Sequence, residues 1–139
     1  MKSKLLDTAH DRKTYVLVFE KDEGVVEGLK AFARSERLSG SHVSAIGAFS
    51  RVTLGFFDRE SKEYKRIPVD EQVEVLSLIG NIGLHQDEPR IHVHVVIGKS
   101  DGIAMGGHLI EGTVWPTLEV IIEESPRHLQ RRIDNETGL

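Results

Sequence analysis

The chain reads as one α+β domain: a strongly bent, mostly antiparallel β-sheet packed with one main α-helix. Three observations predict it. Apolar and polar residues alternate with period two over most of residues 41–124, and a single stretch after Asp22 repeats with helical spacing. No fixed-period repeat, low-complexity run or linker divides the 139 residues, a length that fits one domain with a sizeable core. The reading is a polar leader at 1–13 and a single domain at 14–139.

Residues Met1 to Lys13 are polar and short of apolar pattern, so the first few are expected to be loosely held. Thr14 to Glu20 is the first strand, with Tyr15, Leu17 and Phe19 on one face and Val16 and Val18 on the other; apolar residues on both faces predict a central position. Asp22 is the expected helix cap, with Glu23 in the first turn. Val26, Leu29, Phe32, Ala33 and Leu38 then face the core, Glu27, Lys30, Arg34 and Arg37 face solvent, and Gly40 ends the helix. His42 to Phe49 and Arg51 to Asp58 are two strands or one long bent one, with Gly47 and Gly55 as candidate bulges. A polar turn at 58–62 leads into a charged edge strand, Glu63 to Val69. Gln72 to Ile82 is a long strand on which Glu74, Leu76, Leu78 and Gly80 share a face. Gly83 to Pro89 is a loop carrying His85, Asp87 and Glu88. Arg90 to Gly98 and Ile103 to Leu109 are paired strands, Thr113 to Thr117 is a connection, and Leu118 to Glu124 is the final strand. Pro126 opens a short basic helical tail, Arg127 to Ile133.

Composition narrows the function classes. No apolar run approaches the roughly 18 residues of a membrane span, and Asp7 interrupts any signal-peptide core, so a cytoplasmic protein is expected. With no cysteine there are no disulfides, thiolate metal sites or cysteine nucleophiles, and histidine is the only good nitrogen or sulfur ligand. A formal charge of −4 argues against a general nucleic-acid footprint. The one basic cluster, at 127–132, has no interleaved aromatic platform and reads as a solvated helix end.

The chemistry concentrates in Arg90-Ile91-His92-Val93-His94 and Gly106-Gly107-His108. On a strand, His92 and His94 share a face with their Cα atoms roughly 6.6 Å apart. His108 supplies a third imidazole if residues 103–109 pair back beside them, with Gly106 and Gly107 permitting close approach. Three histidines with one open position form the ligand set of a divalent-metal site that still accepts water or substrate, with zinc the expected ion and copper, nickel and iron also suited. Glu74 is either a satisfied carboxylate at a subunit interface or a group that orients a ligand, completes the coordination sphere or acts as general base. Arg90 is either a solvated charge or a clamp for an anionic substrate. His85 and Asp87 lie in a loop that could join the site, and Trp115-Pro116 suits core or interface packing.

The run Glu74 to Ile82, then His92-Val93-His94, Gly98, Asp101-Gly102, Gly106-Gly107-His108 and Glu119 to Ile122, resembles the PPC (plants and prokaryotes conserved) domain from Tyr15 to Glu124. That resemblance implies a small α+β fold, assembly as a homotrimer, and association with DNA-binding proteins. An Arg-Gly-Arg-Pro hook for A·T-rich DNA is absent from the chain. The fold is also similar to that of acetolactate decarboxylase, a zinc lyase whose ligands include a His-x-His pair and a third histidine. Two functions are expected. One is an oligomeric metal-binding, DNA-associated regulatory protein; the alternative is a metal-dependent enzyme acting on a small carbonyl or carboxylate compound.

Overall fold

The computed structural model describes residues 1–137. Its elements are β1 (Lys2–Ala9), β2 (Arg12–Phe19), α1 (Val25–Ser35), β3 (Gly40–Asp58), β4 (Glu63–Val69), β5 (Val73–His85), β6 (Glu88–Gly98) and β7 (Ala104–Glu124). All seven strands join one sheet in the order β1-β2-β7-β6-β5-β3-β4, each neighbouring pair antiparallel. A further pairing of β3 with β7 closes β3, β5, β6 and β7 into a ring, with β2 and β4 splitting off β7 and β3. Bending the sheet this far requires extra residues on one side of the ladders. They occur at Leu76 on β5, which both of its neighbours skip, and at three points along the β3–β7 pairing.

The predicted alternation accounts for the interior. Tyr15, Leu17 and Phe19 on β2, Val93, Val95 and Ile97 on β6, and Leu118, Val120 and Ile122 on β7 all point inward and are buried. Each such side chain contributes about 1.5–3 kcal/mol by leaving water. Helix α1 covers one mouth of this core with Val25, Leu29, Phe32 and Ala33. It sits close because residue 28 is glycine: a Cβ there would lie 2.3 Å from Phe19 Cε1. Phe32 meets Tyr15 edge to face at 5.2 Å between ring centroids.

Several local expectations are corrected. Residues 2–9 are no loose leader but an edge strand, hydrogen-bonded to β2 through a turn in which His10 and Asp11 both have positive φ. Every residue of β1 is exposed, so no buried face betrays it in the sequence. Asp22 does not cap α1; Gly24 occupies that position without a side-chain hydrogen bond. The helix ends before Gly40, with Arg37 left-handed and the Leu38 and Arg37 N–H groups bonding to the Ala33 and Arg34 carbonyls. Gln86 and Asp87, at φ 52° and 61°, make a two-residue hairpin in place of the seven-residue loop. Residues 104–124 are one continuous strand, with a cis Trp115–Pro116 bond inside it. The segment after Pro126 is not helical: it runs extended beside Leu84 and forms a parallel bridge at Gln130. Among the described residues no helix is long and apolar enough to cross a membrane.

Candidate metal centre

The β6–β7 hairpin sets His94 directly opposite His108, and His92 lies two residues further along β6 on the same face. The three rings are mutual neighbours, with centroids 5.2, 5.3 and 5.5 Å apart. One ligand nitrogen from each lies within 4.8 Å of the other two. A tetrahedral zinc ion with Zn–N bonds of about 2.0–2.1 Å needs nitrogens about 3.3 Å apart, so small ring rotations would close the set. Backbone packing allows the approach. A Cβ on Gly80 would fall 2.0 Å from the His92 carbonyl oxygen, and one on Gly107 2.8 Å from the Gly55 carbonyl oxygen. Larger residues at either place would force the strands carrying the histidines apart.

The electrostatics suit a metal ligand set. Loss of water pushes the His108 imidazole down to about 4, with the nearby His92 and His94 adding to the effect. His92 is lowered for the same first reason, then by the charge of Arg131 and by His94. Both rings are therefore neutral at physiological pH, the state in which imidazole coordinates. His108 Nδ1 is buried without a hydrogen-bond partner. An orphaned buried nitrogen costs on the order of 1–3 kcal/mol, and a cation beside it would remove that cost. The donor set and this orphaned atom fit a divalent ion.

The other candidates fall at different distances. Arg90 shares the outward face of β6 with His92 and is exposed, paired across the ladder with Gly83. Glu74 pairs with Gly98, four residues along β6 from His94, or about 13 Å at 3.3 Å per residue. It lines a separate cleft with Ile46, Leu76 and Glu119, and the Leu76 bulge puts Leu78 on the opposite, buried side. His85 and Asp87 sit at the tip of the β5–β6 hairpin. Trp115 is half-buried under the Lys21 ammonium, 4.1 Å from its ring centroid.

Three neighbours of the site were not singled out from the sequence. Tyr64 of β4 lies over Gly55 and packs its ring on His108 at 4.8 Å. Asn81 stands opposite His92 on β5. Arg131, from the C-terminal segment, donates through Nη2 to Asn81 Oδ1. Alternation could have flagged Asn81 as facing outward beside the histidines. No local signal marks Tyr64 or Arg131.

Solved structures share this architecture. A plant- and prokaryote-conserved (PPC) protein from Pyrococcus horikoshii is 33% identical, with 90% of this chain and 87% of that one covered and a TM-score of 0.84. A metal-containing protein from Archaeoglobus fulgidus is 31% identical over 100% of this chain and 96% of the other, with a TM-score of 0.84. A candidate DNA-binding protein from Bacteroides thetaiotaomicron gives a TM-score of 0.87 at 28% identity, covering 91% and 88%. The α-acetolactate decarboxylase of Bacillus subtilis shares the fold alone, at 13% identity and a TM-score of 0.60 over 88% of this chain and 57% of the enzyme. In sequence the chain is 28% identical to the bifunctional protein GlmU of Synechococcus over 91% of its own residues, which span only 20% of that relative. The Plants and Prokaryotes Conserved (PCC) domain matches residues 6–126, and the chain belongs to that family.

Proposed function

We propose that this PCC-domain protein binds one divalent metal ion, zinc, on His92, His94 and His108, and that it does so as a homotrimer. The observation that carries the reading is the convergence of three imidazoles on one point, with His108 Nδ1 buried and unpartnered. The similarity to a metal-containing archaeal protein supports it. When bound, such an ion supplies Lewis acidity and an activated water at its open fourth position. The chain's own contribution is to keep His92 and His108 neutral by burial, to seat His108 against Tyr64, and to leave exposed His94 at the solvent side.

Two uses of the centre follow. A regulatory, DNA-associated role is supported by the Bacteroides neighbour, but a charge of −4 per chain opposes close approach to a phosphate backbone. A catalytic role on a small carbonyl or carboxylate compound is favoured by a ligand set of three and by nearby arginines that have no carboxylate partner among the described residues. Glu74 is too far along the sheet to serve His94 of its own chain as a general base. Its place in the Ile46–Leu76 cleft suits a subunit interface instead. The deciding experiment is metal content per chain in protein purified without a histidine tag. Near one zinc per wild-type chain, lost in His92→Ala/His94→Ala, is expected; a metal-free wild type would overturn the reading.

A further inference from the structure

We propose that Arg131, carried by the C-terminal segment to the edge of the histidine centre, forms an oxyanion-binding subsite for a small carboxylate- or phosphate-bearing molecule. The proposal deepens the metal-centre reading by assigning the charge of the compound that the centre meets, although the subsite itself needs no metal.

The segment is fixed in place by its backbone. Leu129 N–H donates to the Ser39 carbonyl at 2.8 Å, Leu84 N–H to the Leu129 carbonyl at 2.7 Å, and Arg131 N–H to the Leu84 carbonyl at 2.7 Å. This holds the Arg131 side chain over β5, where Nη2 donates to Asn81 Oδ1. Asn81 is the cross-strand partner of His92, so the guanidinium stands one ladder pair from the histidine centre. It is not used up there. Among the described residues no carboxylate lies within ion-pair distance of Arg131, Arg132 or Arg90, although Arg34 and Arg66 each have one. Arg131 Nε is buried with no partner at all. The guanidinium is anchored by one amide through Nη2, and among the described residues Nη1 has no hydrogen-bond partner, so its outer end keeps donors for a fork to two oxygens.

The space for a ligand is present. A cleft of about 470 Å³ opens against this side chain, lined by Asn81, His85, Arg131 and Arg132 with Leu129 and Ile133, and no acidic residue borders it. Arg90, which also lacks a carboxylate partner among the described residues, lies on the same outward face as His92. A local surplus of fixed positive charge with an amide donor, in a chain that is acidic overall, selects an anion of small size. A long polyanion such as a nucleic acid would meet the net negative charge around the patch.

The test uses full-length protein, with and without added zinc, titrated by calorimetry with oxalate and with inorganic phosphate. Arg131→Gln is expected to weaken binding of the preferred probe at least tenfold while zinc content per chain is unchanged. Arg131→Lys, which keeps the charge but lacks the fork, should recover only part of it, and its circular dichroism should match wild type. Equal affinity in wild type and Arg131→Gln would overturn the proposal. So would Arg131-dependent binding of a 20-base-pair duplex without binding of either small anion, since the occupant would then be nucleic-acid phosphate. If His92→Ala/His94→Ala still binds the small anion through Arg131, the subsite stands independently of the metal ligands; if the wild type is metal-free yet binds the anion through Arg131, the subsite stands and the metal reading fails separately.

Discussion

His108 is the residue at which packing and chemistry pull apart. Its ring is stacked on Tyr64 and largely dehydrated, yet its Nδ1 is left without a partner. Replacing it with phenylalanine keeps the stack and removes the orphan. In chelator, His108→Phe should therefore be more stable than wild type by about 1 kcal/mol. In excess zinc the order should reverse, because only wild type gains the binding free energy, about 2.7 kcal/mol at a hundredfold excess over Kd. Urea melts under both conditions check it; a variant less stable than wild type in chelator would mean that the nitrogen is satisfied. Tyr15 gives a pH signature far from the site. Burial first, and then its hydrogen bond to the Glu36 carboxylate, raise the phenol to about 12. Above pH 10 an unfolded chain releases this proton while the folded chain retains it. Stability is thus unaffected below 10 and falls through the interval from 10 to 12. Tyr15→Phe should flatten that alkaline limb of a stability–pH curve by up to one proton.

Strands whose two faces differ are readable in a sequence, and those without such contrast are not. The alternation of Val93, Val95 and Ile97 against His92 and His94 gave β6 and its outward histidines, and Gly106-Gly107 pointed to the close pairing that brings in His108. Strand β1 has no buried face; backbone pairing and the exposed Lys2–Glu20 ion pair define it. The Leu76 bulge reverses the phase of β5 midway, which is why Glu74 and Leu78 were placed together and lie on opposite sides. Tyr64 and Arg131 reach the site from elements 44 and 50 positions from the residues they touch, pairings that no local pattern encodes. Close approach between elements is tested at glycine. Gly80→Ala puts a methyl 2.0 Å from the His92 carbonyl oxygen and 2.7 Å from Val93 Cα, so β6 must shift. Overpacking of this kind costs about 1–3 kcal/mol, and zinc affinity should fall at least tenfold as the ligands separate. Gly24→Ala, with nothing within 4 Å of the added methyl and at the N-cap of α1, is the control and should leave zinc affinity unchanged. Equal zinc affinity in Gly80→Ala and Gly24→Ala would show that the centre tolerates movement of β6.

Across the whole molecule, the outward side of the β3–β5–β6 wall carries too much apolar surface for its place. One cross-strand row, Ser44, Ile79 and His94, runs over it, and Ile46, the bulged Leu76 and Val96 lie exposed farther along the same strands. Ile46, Leu76, Ile79 and Val96 are 42–62% exposed, and Ile46 and Leu76 line the cleft that also holds Glu74 and Glu119. Phe56 is similarly bare, whereas Phe57 and Trp115 are half-covered within the chain. An apolar wall beside a polar site is the composition of an interface core, and the proposed homotrimer would bury it. It would also bring Glu74, in the same cleft, to the subunit contact. Lysines at Ile46 and Leu76 would place like charges in that contact without entering the core, since both side chains point to solvent. The Ile46→Lys/Leu76→Lys protein should sediment as a single 15.6 kDa chain where wild type sediments at three times that mass. Because His92, His94 and His108 all come from one chain, the separated subunit should still bind zinc with near-unit stoichiometry. A wild type that sediments as one chain would remove the trimer from the proposal. A separated subunit that no longer binds zinc would show instead that a neighbouring chain completes the centre.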